Sequence, residues 1–84
     1  MYFGAEWCAP CKNFAPTMKT IADDNEDVSV IKIDVEDNSE LSSEYNIRSI
    51  PALVMTRDSI EVGRMVGNRN LSEIQSMINI QKLV

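Results

Sequence analysis

The 84-residue chain contains no histidine. That excludes Ser–His and Cys–His catalytic pairs and removes the commonest zinc ligand. No apolar run approaches the roughly 18 residues that a membrane-spanning helix needs, so no membrane partner is expected. A basic stripe is missing as well. The eight Lys and Arg residues are scattered singly, so nothing is arranged to release counterions from phosphate, and nucleic acid is not an expected partner. The net charge is -5, with acids gathered in "DDNED" (23–27) and "DVEDNSELSSE" (34–44). These read as solvated loops and a solvated helix face. Internal repeats, low-complexity tracts and linkers are also lacking. The opening "MYFGAEWC" has neither the basic region nor the apolar stretch of a secretory signal, and the expected compartment is the cytoplasm.

What is present suits one small α/β domain spanning residues 1–84. Apolar residues make up 44% and charged ones 25%, an ordinary globular balance. A domain of this size buries only about 60–65% of the surface of its unfolded chain, so its core has little slack. "MYFGA" (1–5) is a short apolar run stopped by Gly4 and reads as a buried strand. From Ala9 to Asp23 the apolar spacing is helical, with Phe14, Met18, Ile21 and Ala22 on one face and Cys11 behind them. Pro10 falls in the first turn, where its missing N–H costs nothing, whereas Pro16 lies inside and predicts a kink.

"VSVIKIDV" (28–35) alternates and is β-branched, which predicts a strand. The helix between it and the first strand makes a right-handed βαβ unit. A short helix is predicted over Ser39–Tyr45, with Asp37 and Glu40 spaced as a capping box. "PALVMT" (51–56) and "EVGRMV" (61–66) read as a hairpin joined through "RDSI". The last helix starts near Asn70, capped by Asn70 and Glu73, and is predicted to bury Leu71, Ile74, Met77 and Ile78. The order is β-α-β-α-β-β-α. A four-stranded mixed sheet of order 2-1-3-4 with helices on both faces is the simplest way to cover it. The five Met residues fit as core filler.

The only two cysteines, Cys8 and Cys11, stand in "EWCAPCK" (6–12). As a staple, a disulfide this local is worth roughly 2 kcal/mol on the chain-entropy model, and in a reducing cytoplasm it would mostly be open. A metal site needs four ligands, so zinc or an iron–sulfur cluster would require one cysteine pair from each of two chains. The redox reading explains more of the residues. Cys8 sits just before a helix, where unpaired N–H groups and the helix dipole favour the thiolate, the attacking species in disulfide exchange. Cys11 lies about one turn on, inside the roughly 4.4–6.8 Å Cα separation that a disulfide tolerates. On this reading Cys8 attacks and Cys11 resolves.

"GAEWCAPCKNFAP" (4–16), "SIPALVM" (49–55) and "RMVGNRNLSEI" (64–74) resemble, in order and spacing, three segments of the thioredoxin family. These are the active-site segment, the cis-proline loop and the final strand–helix corner. The resemblance covers nearly the whole chain and implies a minimal thioredoxin fold. Cys8 then corresponds to the nucleophile and Cys11 to the resolving cysteine. Trp7 matches the exposed tryptophan beside the nucleophile, and Pro51 the cis-proline against which a substrate backbone pairs. Ile50 and the Val66–Gly67 corner match the apolar rim of the docking groove. Ala9 and Pro10, the pair between the cysteines, complete it. Pro16 matches the helix-kinking proline, and Tyr45 with Arg48 the turn before the cis-proline.

The resemblance further implies a protein disulfide reductase working by dithiol exchange. It would carry no cofactor or metal beyond the redox-active disulfide Cys8–Cys11. Its partners would be protein disulfides and a thioredoxin reductase-type electron donor, or glutathione, and its state a monomer. "AP" is close to the family's "GP", which favours a reductant.

Departures from the pattern are informative. A further strand and helix usually precede the part matched here, so the frame is the size of a glutaredoxin. Tyr2 stands where thioredoxins usually have a buried aspartate, and Val30 replaces the lysine near it. Losing both together avoids stranding one buried charge, at about 3–5 kcal/mol. Water, Glu6 or the leaving thiolate would then take the Cys11 proton. Gly4 occupies the place of a second tryptophan. A glutathione site would want a Gly-Gly turn and an acid near the last helix, but "VGNRNLSE" has Gly67 alone and no acid before Glu73. A first strand beginning at Met1 needs its neighbours to extend past it. Besides the reductase, two readings stay open: a glutaredoxin-like, glutathione-coupled enzyme, and a non-catalytic module binding partners through Trp7, Pro51 and Gly67.

Overall fold

The computed structural model describes residues 1–83. Four strands and three helices follow one another as β1 (Tyr2–Gly4), α1 (Ala9–Asp24), β2 (Lys32–Asp34), α2 (Ser39–Glu44), β3 (Ala52–Arg57), β4 (Ile60–Val66) and α3 (Leu71–Lys82). The sheet has the order β2-β1-β3-β4. β1 runs parallel to β2, antiparallel to β3, and β3 is antiparallel to β4. This is the predicted α/β arrangement. The hairpin between β3 and β4 turns through Asp58 and Ser59, both at positive φ (52° and 67°), as a tight primed turn demands.

Because side chains alternate along a strand, the two faces of the sheet hold separate cores. On one, Leu53 meets Phe14, Met18 and Ile21 of α1 and Ile74 and Ile78 of α3, with Tyr2 and Val30 packed alongside. On the other, Phe3, Ile33, Ala52 and Val54 are flanked by Leu41 and Tyr45 from the α2 region. Val30 and Tyr2 therefore share one apolar cluster.

α1 begins where predicted and continues through Pro16 to Asp24. Asn25, just beyond it, is buried; its amide donates to the Ile21 carbonyl (2.8 Å) and to Gln75 (2.9 Å), and Gln75 donates back to it (3.0 Å). That reciprocal pair fastens the end of α1 to α3.

Several expectations are corrected. β2 covers three residues instead of 28–35, because β1 offers only Tyr2, Phe3 and Gly4 as partners and a strand exists only where its ladder is paired. The capping box at Asp37 and Glu40 does not form. Asn38 is the N-cap, with no side-chain cap, and it is Asp34 whose carboxylate accepts from the N–H groups of Glu36 and Asp37 (2.8 and 3.4 Å). α3 has the predicted Asn70–Glu73 capping box, but Leu71 is 41% exposed and the buried face is Ile74 and Ile78. Pairing around β1 is satisfied from the first residue: the Met1 ammonium donates to the Val54 carbonyl and the Val54 N–H to the Met1 carbonyl, both at 2.9 Å. Burial pushes the Met1 ammonium pKa down.

Candidate active site

The end of β1 feeds directly into the candidate site. After Gly4 the chain makes a turn in which the Cys8 N–H donates to the Ala5 carbonyl (3.1 Å). Cys8 is the N-cap of α1, in an extended conformation, and its carbonyl accepts the first helical bond from Lys12 (3.2 Å). An N-cap side chain normally supplies an oxygen to the free N–H groups of the first turn. Here sulfur does so: the Cys11 N–H donates to Cys8 Sγ at 3.2 Å. Pro10 lies in the same turn and withholds one N–H from the sulfurs.

Cys8 and Cys11 are joined by a disulfide with a Cα–Cα separation of 5.2 Å. Both are buried, at 5% and 8% exposure, in a small cluster with Ala5 that Val35 and Ile50 complete. The immediate neighbourhood of the sulfurs is thus apolar on one side and a helix N-terminus on the other. A thiolate at Cys8 meets a donated N–H and the positive end of the helix dipole.

Of the remaining predicted residues, Ile50 packs against the cysteine cluster. The Ile50–Pro51 peptide is cis, and Pro51 is buried while Ile50 is half-buried. Gly67 follows β4 at φ +88°, a conformation that favours glycine. Its N–H donates to the Pro51 carbonyl (2.8 Å), tying the strand–helix corner to the proline loop. Val66, Ala9, Pro10 and Trp7 are exposed, Trp7 by 69%.

Three features were not legible in sequence. The Trp7 indole N–H donates to the Glu36 carboxylate, a residue 29 positions away inside what read as a solvated acidic run. Ala5 and Val35 pack against the cysteines. Gly4, on the central strand, faces Cys11: a Cβ built there would stand 3.1 Å from Cys11 Cβ and 3.3 Å from its Sγ. Tyr2, in the position of the expected acid, has its phenol pKa raised by burial, so it is a neutral group at physiological pH. Among the described residues no group of three or more His, Cys, Asp and Glu is placed to hold a metal ion, and no helix is long and apolar enough to cross a membrane.

Comparison with known proteins agrees with this geometry. The family model described as thioredoxin matches residues 1–80. Thioredoxin C-3 of Corynebacterium nephridii is 43% identical over 77 residues, covering 92% of this chain and 53% of that protein. The thioredoxin of Mycoplasmoides gallisepticum is 36% identical over 76 residues, covering 90% and 76%. The chain therefore spans between about half and three quarters of the length of these relatives. Among solved structures, a mutant thioredoxin from Halobacterium salinarum superposes with a TM-score of 0.90 at 35% identity, over 94% of this chain and 69% of that one. Fasciola hepatica thioredoxin gives 0.87 at 33% identity, over 94% and 75%.

Proposed function

The chain belongs to the thioredoxin family, and from that premise we propose that it is a thiol–disulfide oxidoreductase that reduces protein disulfides by dithiol exchange. The observation that carries the reading is Cys8 at the N-cap of α1, bonded to Cys11 and accepting the Cys11 N–H.

In the proposed cycle the reduced protein uses Cys8 as a thiolate. Its sulfur attacks one sulfur of a target disulfide, the target's S–S bond breaks, and the target's other sulfur leaves as a thiolate that takes a proton. The Cys11 thiol loses its proton and attacks Cys8 Sγ. The target's second sulfur departs, and the Cys8–Cys11 disulfide forms. Two electrons pass to the target. Because Cys8 and Cys11 are adjacent on one helical turn, the second step is intramolecular and outcompetes escape of the mixed disulfide.

The groove of Trp7, Ala9, Pro10, Ile50, Pro51, Val66 and Gly67 is the proposed docking surface for an extended target segment. Apolar rim residues exclude water, and a strand-like partner pairs along the loop that ends at the Ile50–Pro51 peptide. With Tyr2 neutral, the acceptor for the Cys11 proton is water, Glu6 or the departing thiolate. The oxidised form is recharged by a thioredoxin reductase-type enzyme, the protein works as a monomer without cofactor, and the setting is a reducing compartment such as the cytoplasm.

Insulin reduction with dithiothreitol as electron donor tests the proposal. The unaltered chain should turn over, Cys8→Ser should not, and Cys11→Ser should accumulate a mixed disulfide with the target. Turnover that persists in Cys8→Ser refutes the assignment. Absence of any turnover in the unaltered, folded chain favours the non-catalytic binding module.

A further inference from the structure

Beside the active-site helix lies a half-open cavity of about 390 Å³, with Tyr2, Gly4, Glu6, Cys11, Lys12 and Lys32 among its lining. Cys11 is on its wall and Cys8 is not. Gly4 keeps that wall open, since even a Cβ at this position would stand 3.3 Å from Cys11 Sγ. The other neighbours of the cysteine pair, Ala5, Val35 and Ile50, are apolar. Apolar burial disfavours a thiolate, so the resolving step needs a charge or a base near the Cys11 sulfur.

The ionisable groups at the cavity come from each element around it. β1 contributes Tyr2, whose phenol pKa is raised by burial, so it carries no charge at physiological pH. The turn after β1 contributes Glu6, α1 contributes Lys12 and β2 contributes Lys32. Glu6, Lys12 and Lys32 are all exposed, and among the described residues none of them makes an ion pair. Cys8 is uncharged once it is held in a mixed disulfide. The cavity then sets two ammonium groups against one carboxylate, a local excess of positive charge in a chain of net charge -5.

We propose that Lys12 and Lys32 are positioning residues for the second exchange step, favouring the Cys11 thiolate across this cavity so that no carboxylate base is needed. The proposal rests on the redox reading above and makes water the acceptor of the Cys11 proton. In the mixed disulfide the Cys11 S–H gives its proton to solvent, and the thiolate left behind is stabilised by the two ammonium groups. That thiolate attacks Cys8 Sγ and the bond between Cys8 and the target sulfur breaks. The target sulfur leaves with the electron pair and takes a proton. Glu6 is not the base in this step. Its charge opposes the thiolate, so removing it acts in the opposite sense to removing a lysine.

The test reads the second step directly. The reduced chain is mixed with dithiodipyridine, an uncharged disulfide, and thiopyridone release is followed by stopped flow across a range of pH. Attack by Cys8 gives a first phase that scales with reagent concentration, and resolution by Cys11 gives a second phase that does not. One exposed ion pair is worth a factor of about 1.4–5, so the paired substitution Lys12→Met, Lys32→Met should cut the Cys11 thiolate population about fivefold. The remaining thiolate is the better nucleophile, with a Brønsted slope of about 0.4–0.5. The second phase should therefore slow by about two- to threefold at pH values where Cys11 is mostly a thiol. At alkaline pH, with Cys11 fully ionised, the paired variant should match or exceed the unaltered chain. Lys12→Arg, Lys32→Arg should restore the rate, and added salt should narrow the gap. Lys19→Met, which removes a charge from the same helix outside the cavity, should leave the rate unchanged. Glu6→Gln should not slow it. An unchanged second phase in the paired Met variant overturns the proposal, as does a slowing that persists at alkaline pH or that arginine does not rescue. Equal slowing in Lys19→Met, or a slower second phase in Glu6→Gln, overturns it too. Cys11→Ser is run alongside and should keep the first phase only. If both phases persist there, the redox reading falls and takes the proposal with it; if the second phase is lost there but is indifferent to the lysines, only the proposal falls.

Discussion

Replacing Gly67 with alanine isolates a conformational cost from a steric one. Gly67 has φ +88°, and a Cβ added there meets nothing within 4 Å. No clash can therefore contribute. A side-chain-bearing residue in the left-handed region costs about 1–2 kcal/mol. Restricting the unfolded chain by the Gly-to-Ala change returns about 0.4–1 kcal/mol, leaving a net loss of about 1 kcal/mol. For a domain of this size that lowers the melting temperature by about 4–8 °C, measured by circular dichroism on the reduced protein. Gly67→Asn should lose less, because asparagine enters this region more readily. Gly63→Ala supplies the opposite case. Its Cβ would come within 2.9 Å of Met77 Sδ, the movable end of a flexible side chain, and its φ is not positive, so its loss should be smaller than that of Gly67→Ala. An unchanged melting temperature for Gly67→Ala would refute the reasoning, as would a larger loss for Gly63→Ala.

Three further outcomes are expected. Ile74, fully buried, should cost about 2–5 kcal/mol on change to alanine, against about 0.5 kcal/mol or less for Leu71→Ala, as read by urea denaturation; equal losses would contradict the assigned face of α3. Trp7 is the only tryptophan, so the indole emission comes from the ring that donates to Glu36. Glu36→Ala, which removes the acceptor, should lower fluorescence anisotropy with a stability change below about 1.5 kcal/mol, and an unchanged anisotropy would show that the bond does not restrain the ring. Finally, the Arg64 side chain, hydrogen-bonded to Glu61, holds its carboxyl below the usual glutamate range. A folded pKa below the unfolded one contributes stability above the unfolded pKa, lost as pH falls through the folded pKa. The stability gap between the unaltered chain and Glu61→Gln should thus be constant near neutrality and shrink on acidification below the ordinary glutamate pKa. A gap that widens in acid would contradict the pairing; the carboxylate is exposed, so the effect is small.

Much of the molecule was legible because its signals are local. Phe14, Met18 and Ile21 recur at helical spacing, Asn70 and Glu73 form a cap within one turn, and Cys8 and Cys11 stand one turn apart. Each depends only on residues near one another in sequence. The errors have the opposite character. The β-branched run 28–35 carries the local preference of a long strand, but its ladder ends where β1 ends. Leu71 fits the helical stripe by spacing, yet its place at the first residue of α3 leaves it outside the packed interface. The Asp37–Glu40 spacing suits a cap, but Asp34 takes up the N–H groups of the preceding turn instead.

The amino-acid sequence alone determined the element order, the chemistry of a vicinal thiol pair at a helix start and the absence of histidine-based alternatives. Periodicity, capping and thiol reactivity are properties of short segments, so they can be read from neighbours along the chain. Only the tertiary structure decided what surrounds the pair. It placed Pro51 and Gly67 in one hydrogen-bonded corner, set Glu36 against Trp7, and laid Gly4 beside Cys11, where a bare backbone leaves a cavity rimmed by Lys12 and Lys32. Such arrangements join residues tens of positions apart, and their register follows from how the strands pair and which faces pack.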